Sequence, residues 1–330
     1  MSLQPKDGGH LSVCWYRAVR WPLHPSPIRG ERLTSWLRRT AMEYCFSIRE
    51  LLRHGLGLET FPTGFPDWRM SDEFISALHE KTGVKPDVII RSTFTGVLPF
   101  IFSEKVEPKS VLLPLPKRPL RSLLEWLPWL RSEPGAQLMA CRACLLHYPR
   151  AGILLPWRLT LVLSCPEHGL MLEPARVNEE SVTWLNEQAE PAPFLVQILD
   201  YRICQALLDG YVELPGGVIQ AGDWFKLMQT VQEELSRRLW GDWNRHNRLI
   251  QQVWHEADCG PKAGVRWQSL DRLGPHRRRS MLIATAMDLI ERGEIIPEGK
   301  DVYLFYRRLF TSHTNRWCEQ EYARPLMGVR

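Results

Sequence analysis

The sequence predicts a mainly α fold in three parts, residues 1–110, 111–180 and 181–330. Three observations carry that prediction. Apolar residues recur three and four apart through much of the first and last parts, the period of a helix that buries one face. Two of the N-terminal helices are separated by a short glycine turn, the pattern of a helix-turn-helix domain. Between the helical parts, Cys141, Cys144, Cys165 and His168 fall as C-x2-C-x20-C-x2-H, which makes the central part a Pro-rich linker and a zinc-ribbon or zinc-finger module.

The elements follow in chain order. After Pro22, Pro25 and Pro27, the segment ERLTSWLRRTAMEY places Leu33, Trp36, Leu37, Ala41 and Tyr44 at helical spacing. Ser47 and Glu50 form an S-x-x-E capping box ahead of Leu51 and Leu52, and Gly55 and Gly57 offer a stop. SDEFISALHEKTG sets Phe74, Ile75 and Leu78 on one face behind a Ser71 cap, with Gly83 as the C-terminal cap. VKPDVIIRSTF then restarts with Pro86 in its first turn and Val88 and Ile89 as the buried pair. An ordinary helical hairpin carries the same local signals, so both readings of this pair stand. As a nucleic-acid reader, its second helix would present Lys85 and Arg91.

Residues 104–137 are interrupted by six prolines and wrap one apolar helix, LLEWLPWL. The metal module spans about 138–175, with Trp157, Leu159, Leu161 and Leu163 as its small core. Three further helices follow: PFLVQILDYRICQALL, DWFKLMQTVQEELSRRL and HRRRSMLIATAMDLIERG, with Gly210 and Gly293 after the first and last. Arg277, Arg278 and Arg279 open the last of these, where the helix dipole disfavours cations by about 0.3–1 kcal/mol each. A phosphate there would be held by the arginines and the free backbone N–H groups of the first turn; a solvated basic face is the alternative.

Composition bounds the function. With 330 residues, 44% hydrophobic and 24% charged, the chain is long enough for two or three cores. Of eight cysteines, three belong to the metal pattern, and Cys14, Cys45, Cys204, Cys259 and Cys318 are scattered and odd in number, which suits a reducing cytoplasm. No apolar run reaches the roughly 18 residues of a membrane span, and Arg17 and Arg20 break the N-terminal apolar stretch, so no membrane partner is expected. A net charge of +5 permits contact with DNA or RNA, and fourteen tryptophans keep a protein-interaction role in view. No Gly-rich phosphate loop follows a strand, so nucleotide hydrolysis is not indicated.

The metal pattern itself argues against chemistry. Residues three apart around a tight turn aim both donors at one ion, and two such turns complete a tetrahedral shell of three thiolates and one imidazole. Such a shell leaves no position for water, so a single zinc here is structural and the protein is not expected to be an enzyme. A hydrolase or nucleobase deaminase would need H-x-E ahead of P-C-x-x-C beside an open metal; Glu167 imitates that glutamate only in position.

Read in order, PSPIRGERLTSWLRRTA, the helix pair of residues 71–94, CRAC and PWRLTLVLSCPEHGLML resemble the TniQ family, which includes the TnsD target selectors. The resemblance covers about the first 175 residues and rests on Gly30, Glu31, Leu33, Ser35, Trp36 and Leu37, then Cys141 and Cys144, then Trp157, Arg158 and Leu159, then Cys165, Pro166, His168 and Gly169. It implies a bacterial, cytoplasmic transposition adaptor that recruits an AAA+ transposon ATPase to a chosen target and is not itself a recombinase. Some members read DNA directly; others ride on an RNA-guided CRISPR effector complex. The resemblance assigns the four Cys and His residues to zinc and favours the helix-turn-helix reading of residues 71–95. Many members carry a second C-P-x-C pair after the C-P-x-H-G turn, and LMLEPARVNEE has no cysteine, so one site is expected. The chain also lacks the long C-terminal extension of the larger site-specific members, which favours targeting borrowed from another complex. Homodimerisation is a further expectation. The competing reading is a zinc-containing helix-turn-helix transcription regulator.

Overall fold

Helices dominate the computed structural model, which describes residues 20–58, 67, 70–101, 137–148, 150–159, 161–177, 181–185, 188–236, 245–257 and 276–295. The N-terminal part comprises α1 (Leu33–Met42), α2 (Ile48–Leu56), α3 (Asp72–Thr82), α4 (Pro86–Arg91) and α5 (Phe94–Ile101). Their ends follow the local chemistry. Ser47 Oγ accepts from the Glu50 amide at 3.3 Å while the Glu50 carboxylate accepts from the Ser47 amide at 2.7 Å, closing the capping box. Ser71 Oγ accepts from the Phe74 amide at 3.3 Å to start α3, and Gly83, at φ +73°, ends it in the left-handed region. The helix LLEWLPWL lies outside the described residues.

Among its described residues, the central part holds short strands and one 3-10 turn (Leu155–Arg158) but no α-helix. β1 (Gln137–Ala140), β2 (Glu173–Val177) and β3 (Val182–Trp184) form an antiparallel sheet in the order β1-β2-β3. Ala140 pairs with Glu173 in the β1–β2 register. Beyond it come α6 (Phe194–Asp209), a hairpin of β4 (Tyr211–Leu214) and β5 (Gly217–Gln220), α7 (Ala221–Ser236), α8 (Arg245–Glu256) and α9 (His276–Glu291). The sequence pattern anticipates α6, α7 and α9 but none of the strands. Each strand has only three to five residues, and β2 carries Pro174, which removes a ladder donor and masks the strand. Val212 and Leu214 face inward on β4 while Glu213 faces out, which is how so short a hairpin is held.

Two apolar cores result. One gathers Trp21, Leu33, Trp36, Leu37, Leu78 and Ile89 around α1–α4. The other runs without a break from Phe94 through Trp157, Leu159, Leu161 and Leu163 to the helices α6–α9. The four residues expected as a private core of the metal module are buried, but they share their interior with the C-terminal helices. Among the described residues, no helix is long and apolar enough to cross a membrane.

Candidate metal centre

The β1–β2 ladder brings the two ligand turns together. Cys141 follows the last residue of β1, and its carbonyl accepts from the Leu145 amide at 3.1 Å, curling the chain so that Cys144 returns beside it. The second turn precedes β2. There the Cys165 amide donates to the Leu170 carbonyl and the Gly169 amide donates to the Cys165 carbonyl, both at 2.8 Å. Gly169 sits at φ +62°, a conformation that a side chain would strain.

The donor atoms of Cys141, Cys144, Cys165 and His168 all lie within 4.8 Å of one another. Cys144 Sγ is 3.5 Å from Cys165 Sγ and 3.2 Å from His168 Nδ1, and Cys165 Sγ is 3.5 Å from the same nitrogen. A tetrahedral ion with metal–sulfur bonds of about 2.3 Å needs donor separations of about 3.6–3.8 Å, and the three separations among Cys144, Cys165 and His168 come within about 0.4 Å of that. Cys141 and Cys165 are buried, Cys144 half-buried, and His168 exposed with Nδ1 turned inward. These residues can hold a metal ion.

Electrostatics favours a cation. Hydrogen bonds from Cys144 and Cys165 pull the Cys141 thiol far below its ordinary range. Hydrogen bonding to Cys141 in turn pushes Cys165 up to about 12 and Cys144 higher still. A divalent ion held by these residues would take the place of the remaining thiol protons. Around the first turn, Arg142 pairs with buried Glu173 at 2.9 Å and stacks over Trp184, tying the ligand loop to β2 and β3.

The basic residues singled out from sequence lie elsewhere. Lys85 caps the start of α4 and Arg91 ends it, both exposed, on a helix of only six residues that packs between α3 and α5. Arg277, Arg278 and Arg279 occupy the first turn of α9, which packs on α6, α7 and α8.

One residue that matters to the centre is not among those picked out from sequence. Asp200 lies on α6 and is fully buried; its Oδ2 accepts from the Leu163 amide at 3.1 Å and from the Ser164 amide and hydroxyl at 2.6 Å each. Burial pushes its carboxyl up to about 7 against the pull of those hydrogen bonds. The signal was available: an aspartate on the stripe of Val196, Leu199, Ile203 and Leu207, where an apolar residue is expected.

Compared with known proteins, residues 22–172 match the model of the TniQ family. No curated protein and no solved structure matches the chain.

Proposed function

Because residues 22–172 match the model of the TniQ family, whose proteins act in transposition, we propose that the chain is an adaptor for target selection. It links a target-bound complex, either DNA read directly or an RNA-guided CRISPR effector, to an AAA+ transposon ATPase, and so brings the transposase to the site. Bridging needs no reaction of its own: two modest affinities on one chain combine through effective concentration. The observation that carries the reading is the family match, whose segment spans both α1–α5 and the four converging metal donors.

The metal in this reading is zinc. Three sulfurs and one imidazole nitrogen are the soft, tetrahedral donor set that zinc prefers, and four protein ligands supply a closed structural shell. Cys141, Cys144, Cys165 and His168 then act as a staple that fixes the β1–β2 turns against the shared core. Nucleic-acid contact is assigned to the helix-turn-helix pair α3–α4 through Lys85 and Arg91, and to Arg277, Arg278 and Arg279 at the start of α9. Self-pairing into a homodimer would present these surfaces twice.

A transposition assay tests the proposal. Omitting the chain while keeping the transposase and ATPase should abolish insertion at the selected target and leave transposase-catalysed strand cleavage intact. Targeted insertion at the same frequency without the chain refutes it. Sequence-specific binding of the isolated chain to a short duplex, with no effect on insertion, supports the transcription-regulator reading instead.

A further inference from the structure

The second ligand turn is held from outside the family segment. Asp200, on α6, spends one carboxylate oxygen on three hydrogen bonds, all to Leu163 and Ser164, the two residues before Cys165. The chain that leads into α6 grips the other side of the turn. The Met171 amide donates to the Glu190 carbonyl and the Ala192 amide donates to the Gly169 carbonyl, both at 2.8 Å. A Cβ on Gly169 would come within 3.0 Å of the Gln197 side chain, so α6 lies directly against the turn.

Docking of α6 does not require a carboxylate. Val196, Leu199, Ile203 and Leu207 already bury its apolar face, and an aspartate among them carries a desolvation cost that an apolar residue avoids. What the carboxylate adds is an acceptor for two backbone amides and a hydroxyl that the apolar stripe cannot satisfy.

We propose that Asp200 is a positioning residue for the metal centre: it locks the Leu163–Ser164 backbone so that Cys165 stays in ligating position, and makes metal retention depend on α6. The inference rests on the metal-binding reading given above. Groups that orient a ligand commonly change metal affinity by about 10–100-fold when removed.

The test is metal release from the full chain, loaded with zinc, to a chelating dye followed by absorbance. The parent should hold one equivalent of zinc, and Asp200→Ala should release it about 10–100-fold faster. Asp200→Asn keeps an acceptor oxygen and should stay within about threefold of the parent. Glu291→Gln breaks the buried Arg202 pair between α6 and α9 without touching the turn, so it controls for general loosening of α6 and should release zinc well short of the Asp200→Ala rate. Release from Asp200→Ala at the parent rate overturns the inference. So does equal acceleration by Glu291→Gln or by Asp200→Asn. If Asp200→Ala does not fold, Ser164→Ala removes one of the three donors; faster release supports the inference and an unchanged rate overturns it. A parent that binds no zinc sinks the metal reading itself, whereas a zinc-loaded parent with an indifferent Asp200→Ala sinks only the role of Asp200.

Discussion

Arg39 grips Glu31 with two parallel hydrogen bonds, Nε to Oε1 at 2.8 Å and Nη2 to Oε2 at 2.5 Å, in the interior between α1 and the metal module. Glu31 is fully buried and also accepts from the Ser35 hydroxyl and the Ile28 amide. Ser35 Oγ in turn accepts from the Ile153 amide at 2.8 Å, and the Arg32 and Leu155 amides donate to the Ile153 and Gly30 carbonyls. The Gly-Glu-x-Leu-x-Ser-Trp-Leu segment is therefore a clasp: its polar residues bind the chain between the two ligand pairs, and Leu33, Trp36 and Leu37 fill the N-terminal core.

Glu31→Ala leaves the Arg39 guanidinium buried without its main partner. Removing one member of a buried ion pair costs about 3–5 kcal/mol, so the urea midpoint should fall by a corresponding amount. A loss under about 1 kcal/mol, the size of an exposed pair, would mean that the clasp contributes little.

Cys144→Ser should abolish zinc binding and lower the melting temperature of the chain, since a structural metal contributes its binding free energy to folding. Chelation of the parent should have the same effect. Because Trp157 and Leu163 share one core with α6–α9, hydrogen exchange should quicken in α6 as well as around the ligand turns. Unchanged melting with full metal retention would remove Cys144 from the ligand set.

Gly169→Ala should destabilise the second ligand turn by about 1–2 kcal/mol, from the left-handed φ alone. The new methyl also meets the Gln197 side chain at 3.0 Å. Thermal melts of the zinc-loaded chain measure the loss, and an unchanged melt would show that the turn accommodates a side chain.

Replacing Arg277, Arg278 and Arg279 together with Gln should weaken nucleic-acid binding and flatten its dependence on salt, by about 0.9 in the log–log slope for each phosphate no longer neutralised. Filter binding or anisotropy from low to moderate salt measures this. An unaltered slope returns the three arginines to a solvated face.

Local signals were legible where local chemistry decides the outcome. Ser47, Ser71, Gly83 and Gly210 cap the helices that their spacing announces, and the two ligand pairs converge as their spacing requires. What was hidden is non-local. The β1–β2 ladder that sets the two ligand turns side by side consists of four- and five-residue strands, one containing Pro174, and its pairing partners lie more than thirty residues apart. The hold of Asp200 on Leu163 and Ser164 spans a similar distance, and nothing in the helical period of α6 says which backbone an aspartate on its buried stripe will meet. Helix α8 also escaped, because its buried residues, such as Ile250, Val253 and Trp254, are few among many polar ones.

The most direct test of the adaptor claim is affinity capture of the tagged full chain from a host carrying the transposon, after nuclease treatment, with bound proteins identified by mass spectrometry and protected nucleic acid by sequencing. The account predicts an AAA+ transposon ATPase together with target DNA or a guide RNA and its effector proteins. Recovery of a short operator-like duplex and no ATPase would contradict it.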